Sequence, residues 1–294
     1  MGGDPAGTHL ERLTSQQRDD GSWGHQLTAP GRIVPTIFAA RSVQEAGLDD
    51  APCLARALDF LARVAIVDGG GSIHGTRDSV VPCYTGMLAR LLVRAGRGDA
   101  ALPLLRWVVR HQPVAYGGVT YHQPTGPLWG EYLRTRYGGC MAATTCLLGL
   151  VPAVSALVTA RRAGIAVDSE AHVDAMHDLL VDRRVMLNRS GAVMALAGRT
   201  RADPEGTRWV VPAFPLDYTI DLLELVQLAV DVDVPAEAMA EAVELIGSWR
   251  LPDGGWPMLG TRRVAPVYRT EPVDRRRRSA TITRRVEALG LTWT

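Results

Sequence analysis

One turn sequence occurs twice, near opposite ends of the chain. Residues 17–24 read Gln-Arg-Asp-Asp-Gly-Ser-Trp-Gly and residues 250–256 read Arg-Leu-Pro-Asp-Gly-Gly-Trp, so both contain Asp-Gly-x-Trp. Each copy precedes a segment with helical apolar spacing. This indicates a turn whose Trp packs between stacked helices, while Asp and Gly supply the turn geometry. Two copies of one loop predict a repeat protein.

The rest of the chain has the pattern of helical hairpins. Pro35, Pro82 and Pro215 precede apolar stretches, as expected for the first turn of a helix, and Gly47 and Gly96 end the first two stretches. A second helix is predicted after each. We therefore expect an all-α protein, one domain over residues 1–294 with roughly five to six hairpins. The helices that start at the three prolines continue through the apolar stretches 38–46, 87–95 and 220–230, and further helices are predicted at 51–64, 100–110, 141–163, 236–249 and 279–289.

A Gly- and Pro-containing segment interrupts this pattern between residues 188 and 211. Long connections within compact domains are more often functional or disordered than filler. The segment 188–211 is therefore predicted to be a lid or binding loop, with a surface insertion as the alternative.

Charge and composition exclude several classes of function. The formal charge of +1 gives no reason to expect a nucleic-acid partner. No apolar run approaches the roughly 18 residues of a membrane span, and Met1–His9 is polar, so we expect a cytoplasmic protein with no membrane span. All 32 basic residues are Arg. Schiff-base chemistry and a Walker-type phosphate loop both require Lys, and are excluded.

The repeated turn resembles the Q-x-x-x-G-x-W motif of the α/α-toroid superfamily, which includes squalene–hopene cyclases, related terpene cyclases and protein prenyltransferase β subunits. Gln17, Gly21 and Trp23 match this motif outright, and Arg250 replaces the Gln in the second copy. The resemblance covers most of the chain and implies concentric helices around an apolar central cavity. It identifies the fold better than the reaction, because one scaffold hosts many chemistries.

Two acidic motifs of that superfamily are missing from the sequence. The D-x-D-D motif of protonation-initiated cyclases is absent, with residues 231–234 the nearest string, and so is the D-D-x-x-D magnesium box. Cyclisation started by either of these routes is therefore not expected.

The resemblance implies that the leading ends of the inner helices gather at one rim of the cavity, where helix N-termini favour anions and thiolates. Side chains at these positions are the candidate site. The predicted catalytic residues are Asp217, Tyr84, Tyr218 and Asp78, and the predicted substrate contacts are Thr36, Asp221, Thr144 and Trp129.

Asp217 and Asp221 are four residues apart, so a helix would hold them on one face. Burial of that face in an apolar cavity would raise the pKa of one carboxyl group, which makes Asp217 a candidate proton donor or base. The alternative is that Asp217 only caps a helix begun by Pro215.

Zinc is a second interpretation of the same rim. Two thiols and an imidazole, from Cys83, Cys140 and His122, would leave one tetrahedral position open for water or substrate, with His74 and Asp78 as substitute ligands. Protein prenyltransferases hold zinc with Asp, Cys and His, and lanthionine cyclases give a weaker comparison. Simple packing of buried cysteines is the alternative.

A run of four arginines, Arg275–Arg278, precedes the last predicted helix. Together with Arg284 and Arg285, it has the chemistry to hold a phosphate, a diphosphate or an acidic carrier protein. A solvated surface is the alternative.

These expectations describe an enzyme that converts a hydrophobic, isoprenoid-like small molecule in specialised metabolism by cyclisation, isomerisation or elimination. A zinc-dependent transferase or cyclase, and a non-catalytic toroid that binds a lipid or a partner, are the alternatives.

Overall fold

The chain is mainly helical. A computed structural model describes residues 5–112, 147–195, 203–261 and 273–293. Helix accounts for 55% of the described residues and strand for 8%, in agreement with the predicted all-α class. The chain divides into two compact units, Met1–Ala175 and Met176–Thr294. A single domain over the whole chain stays a prediction.

Unit 1 consists of helices in consecutive pairs and one short hairpin. Its helices are α1 (Pro5–Gln16), α2 (Ile33–Glu45), α3 (Pro52–Val64), α4 (Pro82–Arg94), α5 (Gly98–His111) and α6 (Leu147–Arg162). The hairpin pairs β1 (Ile66–Val67) antiparallel with β2 (Gly70–Gly71). Helix α7 (Glu170–Asp182) crosses the division between the units.

Unit 2 contains three further helices and a second antiparallel strand pair. The helices are α8 (Leu222–Asp231), α9 (Ala236–Gly247) and α10 (Ala280–Glu287), and the strands are β3 (Pro257–Met258) and β4 (Asp274–Arg278). No described helix in either unit is long and apolar enough to cross a membrane.

The paired helices of unit 1 are buried to different extents. Every residue of α2 from 36 to 44, and every residue of α6 from 149 to 158, is buried. Helix α3 instead buries one stripe, formed by Cys53, Leu54, Ala57, Leu58, Phe60 and Leu61. A helix that is buried on every side lies in the interior, whereas a helix with one apolar stripe covers it. Within unit 1, α2, α4 and α6 are therefore inner helices, and α3 and α5 are outer ones.

Helices α4 and α6 approach closely at one glycine. A Cβ atom on Gly86 would lie 2.5 Å from the backbone nitrogen of Ala153 and 2.5 Å from the carbonyl carbon of Pro152. Only Gly therefore allows this contact between two inner helices.

Most of the predicted helix ends are confirmed. Pro82 is the first residue of α4 and Pro35 lies in the first turn of α2, while Gly47 and Gly96 follow α2 and α4 with φ of 74° and 70°. The start predicted at Pro215 is wrong. Helix α8 begins seven residues later, at Leu222.

Candidate functional site

The first tryptophan turn, residues 17–24, forms hydrogen bonds to both flanking helices. The backbone N–H of Trp23 donates to Thr36 Oγ1 of α2 at 3.0 Å, and its indole N–H donates to the Leu13 carbonyl of α1 at 2.8 Å. Gly21 has φ of 88°. The Trp23 side chain is buried, so both polar groups of this residue are satisfied inside the core.

The second tryptophan turn, residues 250–256, makes the same bonds with different residues. The backbone N–H of Trp256 donates to Thr283 Oγ1 of α10 at 2.9 Å, and its indole N–H donates to the Ile246 carbonyl of α9 at 2.9 Å. Gly254 has φ of 82°. Leu13 and Ile246 each precede their Trp by ten residues. The predicted repeat of this turn is therefore confirmed at the level of individual hydrogen bonds.

A third, shorter copy lies between α3 and α4, and the sequence pattern did not predict it. Asp68-Gly69 turns with φ of 49° and 81°, and the N–H of Gly71 donates to Thr85 Oγ1 of α4 at 2.8 Å. Thr85 and Thr36 occupy the fourth position of their helices. The signal that would have found this copy is Asp-Gly followed by a threonine one turn into the next helix, without the Trp.

Thr36 is a predicted substrate contact, and these bonds show that it also holds the turn. Thr36 is fully buried, and its hydroxyl donates to the Arg32 carbonyl at 2.7 Å while it accepts the Trp23 N–H. A hydroxyl group used in this way holds the turn against the helix.

Asp221 is a carboxylate of unit 2 that is fully buried. Arg285 donates to both of its oxygens, at 2.9 Å and 2.7 Å, and the N–H groups of Ala213 and Glu224 donate at 3.1 Å and 3.0 Å. Burial opposes the charged form, but the charge and hydrogen bonds of Arg285 and the two backbone bonds outweigh it, so the pKa of Asp221 is lowered. This carboxylate stays ionised and fully bonded.

The predicted Asp217–Asp221 helical face is therefore wrong. Asp221 is the N-cap of α8, and Asp217 lies in the preceding loop, where it accepts the N–H and hydroxyl of Thr219 at 2.7 Å and 2.5 Å. The pKa of Asp221 falls rather than rises, and both of its oxygens accept hydrogen bonds from protein groups, while its role as a substrate contact stays a prediction. Tyr218 is 45% exposed beside Asp217.

Tyr84 lies where the inner helices α2 and α4 pack against each other. Its ring lies 6.0 Å from that of Phe38, centroid to centroid. Next along the same pair of helices, Arg41 Nη1 approaches Met87 Sδ at 3.6 Å. We call this row of side chains the α2–α4 wall. Tyr84 and Phe38 each keep 9% of their surface exposed, more than most core residues.

The wall also contains a buried ion pair that the sequence pattern did not predict. Arg41 Nε lies 2.6 Å from Glu45 Oε1, and the side chains are 9% and 13% exposed. The available signal was an Arg and a Glu four residues apart within an otherwise apolar helix. This buried ion pair adds charge to the α2–α4 wall, whose other side chains are apolar or aromatic.

Asp78, another predicted catalytic residue, lies outside this wall. It is exposed on the loop before α4 and accepts the Thr76 hydroxyl at 2.6 Å. His74, which like Asp78 is a substitute ligand in the zinc hypothesis, is exposed on the same loop. An exposed carboxylate in a short hydrogen-bonded turn has the surroundings of a surface loop, not of an apolar cavity.

Most of the residues in the zinc hypothesis lie outside the described ranges. Cys83 is partly buried at the second position of α4. Cys140 and His122, and the predicted substrate contacts Thr144 and Trp129, all lie within 113–146, which the structure does not describe. Among the described residues, no three His, Cys, Asp or Glu side chains form a group that could hold a metal ion.

The predicted lid at 188–211 is described except for residues 196–202. Its first part is a tight turn in which Asn188 Oδ1 accepts the N–H groups of Ser190 and Ala192 at 2.9 Å and 3.1 Å. In its last part, the buried Trp209 donates its indole N–H to the Met194 carbonyl at 2.7 Å. The two described parts are therefore joined, and a role as a lid stays a prediction.

Comparison with known proteins adds little to this geometry. No family model matches the chain, and no curated protein matches it. A crystal structure of a protein from Actinoplanes aligns over 85% of this chain and 83% of that chain, with 17% sequence identity and a TM-score of 0.35. A similarity of this size carries no argument about fold or function.

Proposed function

We propose that this chain is a terpenoid-cyclase-like α/α toroid whose inner helices line an apolar chamber for a hydrophobic, isoprenoid-like molecule. The observation that carries the proposal is the tryptophan turn, which repeats with the same Trp-to-Thr and Trp-to-carbonyl bonds at both ends of the chain. This supports the family resemblance, and the resemblance supplies the reaction class by analogy: cyclisation, isomerisation or elimination.

The α2–α4 wall supports the ligand class. Phe38 and Tyr84 offer adjacent aromatic rings from two inner helices, and aromatic and apolar linings are typical of small-molecule sites. Tyr84 also brings a phenol group, which is able to donate a proton or to stabilise positive charge through its ring.

Within unit 2, proton transfer is assigned to Asp217 with Tyr218 assisting, because the neighbouring carboxylate Asp221 is paired with Arg285. Asp217 is partly exposed and held by Thr219. A general acid or base must reach solvent or substrate, and Asp221, buried on all sides, does not.

Binding and catalysis are tested separately. Farnesol and geranylgeraniol are titrated against the protein and followed by the quenching of tryptophan fluorescence. Phe38→Leu is expected to weaken binding about tenfold, because one wall ring is lost. Phe60→Leu is the matched control, since Phe60 is buried in the outer helix α3. Equal weakening in both variants would show that only core packing had changed.

Turnover of an isoprenoid panel is then measured by gas chromatography and mass spectrometry. Asp217→Asn is expected to lower turnover about a hundredfold or more while binding is retained. Unchanged turnover in Asp217→Asn would remove this residue from the mechanism.

A non-catalytic toroid is the second candidate, and the state of Asp221 favours it. Asp221 forms a buried ion pair with Arg285, and the two acidic motifs of the superfamily are missing from the sequence. Binding of the probes with no product from any of them would favour this candidate over the enzyme.

Zinc, with Cys83, His122 and Cys140 as ligands, remains the alternative cofactor proposal. Elemental analysis tests it directly. One equivalent of zinc that is lost in Cys83→Ser, with helix content unchanged, would support it, and metal-free purified protein would oppose it.

A further inference from the structure

Three consecutive arginines project from the pairing of β3 with β4. Pro257 pairs with Arg278, but the next residue, Met258, pairs with Asp274. The residues between these partners, Arg275–Arg277, therefore have no counterpart on β3. Extra residues in one strand of an antiparallel pair form a bulge that redirects side chains. We call Arg275–Arg277 the arginine bulge.

The arginine bulge is exposed, and a backbone hydrogen bond supports its conformation. All three residues are exposed, and Asp274 Oδ1 accepts the Arg276 N–H at 2.9 Å. Arg278, just after the bulge, lies 3.7 Å from the Glu287 carboxylate. Within the described ranges, by contrast, no carboxylate lies within 4.0 Å of the three bulge guanidinium groups. Three adjacent like charges repel one another, so the bulge favours an anionic partner.

Four adjacent arginines, Arg275–Arg278, carry a quarter of the positive charge of unit 2. Residues 176–294 contain 16 Arg and 16 Asp or Glu. Without Arg275–Arg278 the same unit contains 12 Arg and 16 acidic residues, a formal charge of −4. These four arginines therefore bring the formal charge of unit 2 from −4 to zero.

The number of charges in the arginine bulge and its exposure favour one class of anionic partner over others. The bulge is exposed, whereas small-molecule sites are concave. A nucleic acid is bound by many phosphate contacts over a long basic surface, whereas the bulge offers three arginines and the rest of the unit has a net negative formal charge. A short cluster of carboxylates matches three guanidinium groups by number and by bidentate geometry.

We infer that the arginine bulge docks an acidic segment of a partner protein through carboxylate–guanidinium pairs. This inference is independent of the proposed function, since it uses only residues of unit 2 and their charges. The net negative formal charge of the rest of unit 2 disfavours longer polyanions.

Fluorescence anisotropy with a labelled oligoglutamate peptide tests the inference. The variant Arg275→Gln, Arg276→Gln, Arg277→Gln is expected to bind about tenfold more weakly than the wild type, the combined effect of three exposed ion pairs. The affinity of the wild type should fall as salt increases. The matching triple Lys variant retains the charges and should stay within about threefold of the wild type.

The control variant carries Arg106→Gln, Arg110→Gln and Arg161→Gln. These arginines are exposed elsewhere, and both Gln variants change the formal charge from +1 to −2. The control should bind within about twofold of the wild type. Equal weakening in the two Gln variants would overturn the inference, because net charge alone would then explain binding. Tighter binding to a single-stranded oligonucleotide of equal charge, or to vesicles containing phosphatidylserine, would overturn it in favour of those partners.

Discussion

The two tryptophan turns share their hydrogen bonds but are braced by different neighbours. In the first turn, Gln17 Nε2 donates to the Gly21 carbonyl at 2.9 Å and to the Cys53 carbonyl of α3 at 2.7 Å. In the second, Arg250 Nε donates to the Gly254 carbonyl at 3.4 Å, and its guanidinium group lies 5.5 Å from the Trp256 ring centroid. Arg250 thus takes over the turn contact of Gln17.

The two turns differ in the element that packs against each of them. The first turn is hydrogen-bonded to the outer helix α3 through Gln17. The second contacts Trp293, whose ring lies 5.4 Å from that of Trp256. The Trp, the left-handed Gly and the Thr are therefore the constant parts of the repeat. The Gln position is variable, and its environment depends on the neighbouring element.

The largest expected effect is common to both turns. Trp23→Ala and Trp256→Ala should each lower the free energy of unfolding by about 3–5 kcal/mol, because a large buried ring and a hydrogen bond are lost together. Urea unfolding followed by circular dichroism measures this. A loss below about 1 kcal/mol in either variant would break the equivalence of the two turns.

Alanine at the left-handed glycine should separate the turns. A Cβ atom at Gly21 would lie 2.3 Å from the Arg56 carbonyl oxygen, whereas at Gly254 the nearest atom is Arg250 Nη2 at 3.7 Å. Gly21→Ala should lower the free energy of unfolding by about 3 kcal/mol from strain and overlap, and Gly254→Ala by about 1–2 kcal/mol from strain alone. Urea unfolding of the two variants checks this, and equal losses would contradict the described packing.

The threonine contact should have similar strength in both turns. Thr36→Val and Thr283→Val remove the acceptor of the Trp backbone N–H and should each lower the free energy of unfolding by about 2 kcal/mol. Thr36→Ser and Thr283→Ser retain the hydroxyl and serve as controls. Thermal unfolding should show the Val variants well below their Ser controls, and no difference would exclude the bond as a stabilising contact.

The smallest effect is a pH dependence expected in the first turn. Burial disfavours the Asp20 carboxylate, but hydrogen bonds from Ser22 and Arg32 and the Arg32 charge outweigh it, lowering its pKa from 3.8 to about 2. A lowered folded-state pKa stabilises the protein above the unfolded pKa, and this stability is lost as pH falls from about 4 to about 2. Asp20→Asn should lack this loss. Parallel stability curves for variant and wild type over this range would contradict it.

Local features were predictable from the sequence, and contacts between distant segments were not. Pro82, Gly47 and Gly96 act through their own backbone geometry, so their roles followed from position. The Asp217–Asp221 prediction failed because the helix start was assigned to Pro215. The Asp-x-x-Glu capping pattern at 221–224 marks the observed start more clearly. The partner of Asp221, Arg285, is 64 residues away, and no local pattern connects them.

The central claim is that the α2–α4 wall receives a hydrophobic ligand, and photocrosslinking tests it most directly. A diazirine analogue of farnesol is crosslinked and the labelled peptides are identified by mass spectrometry. The account predicts label on α2 and α4 near Phe38 and Tyr84, reduced by excess farnesol. Label confined to exposed sites such as Leu27, which is 95% exposed, and unaffected by farnesol, would contradict it.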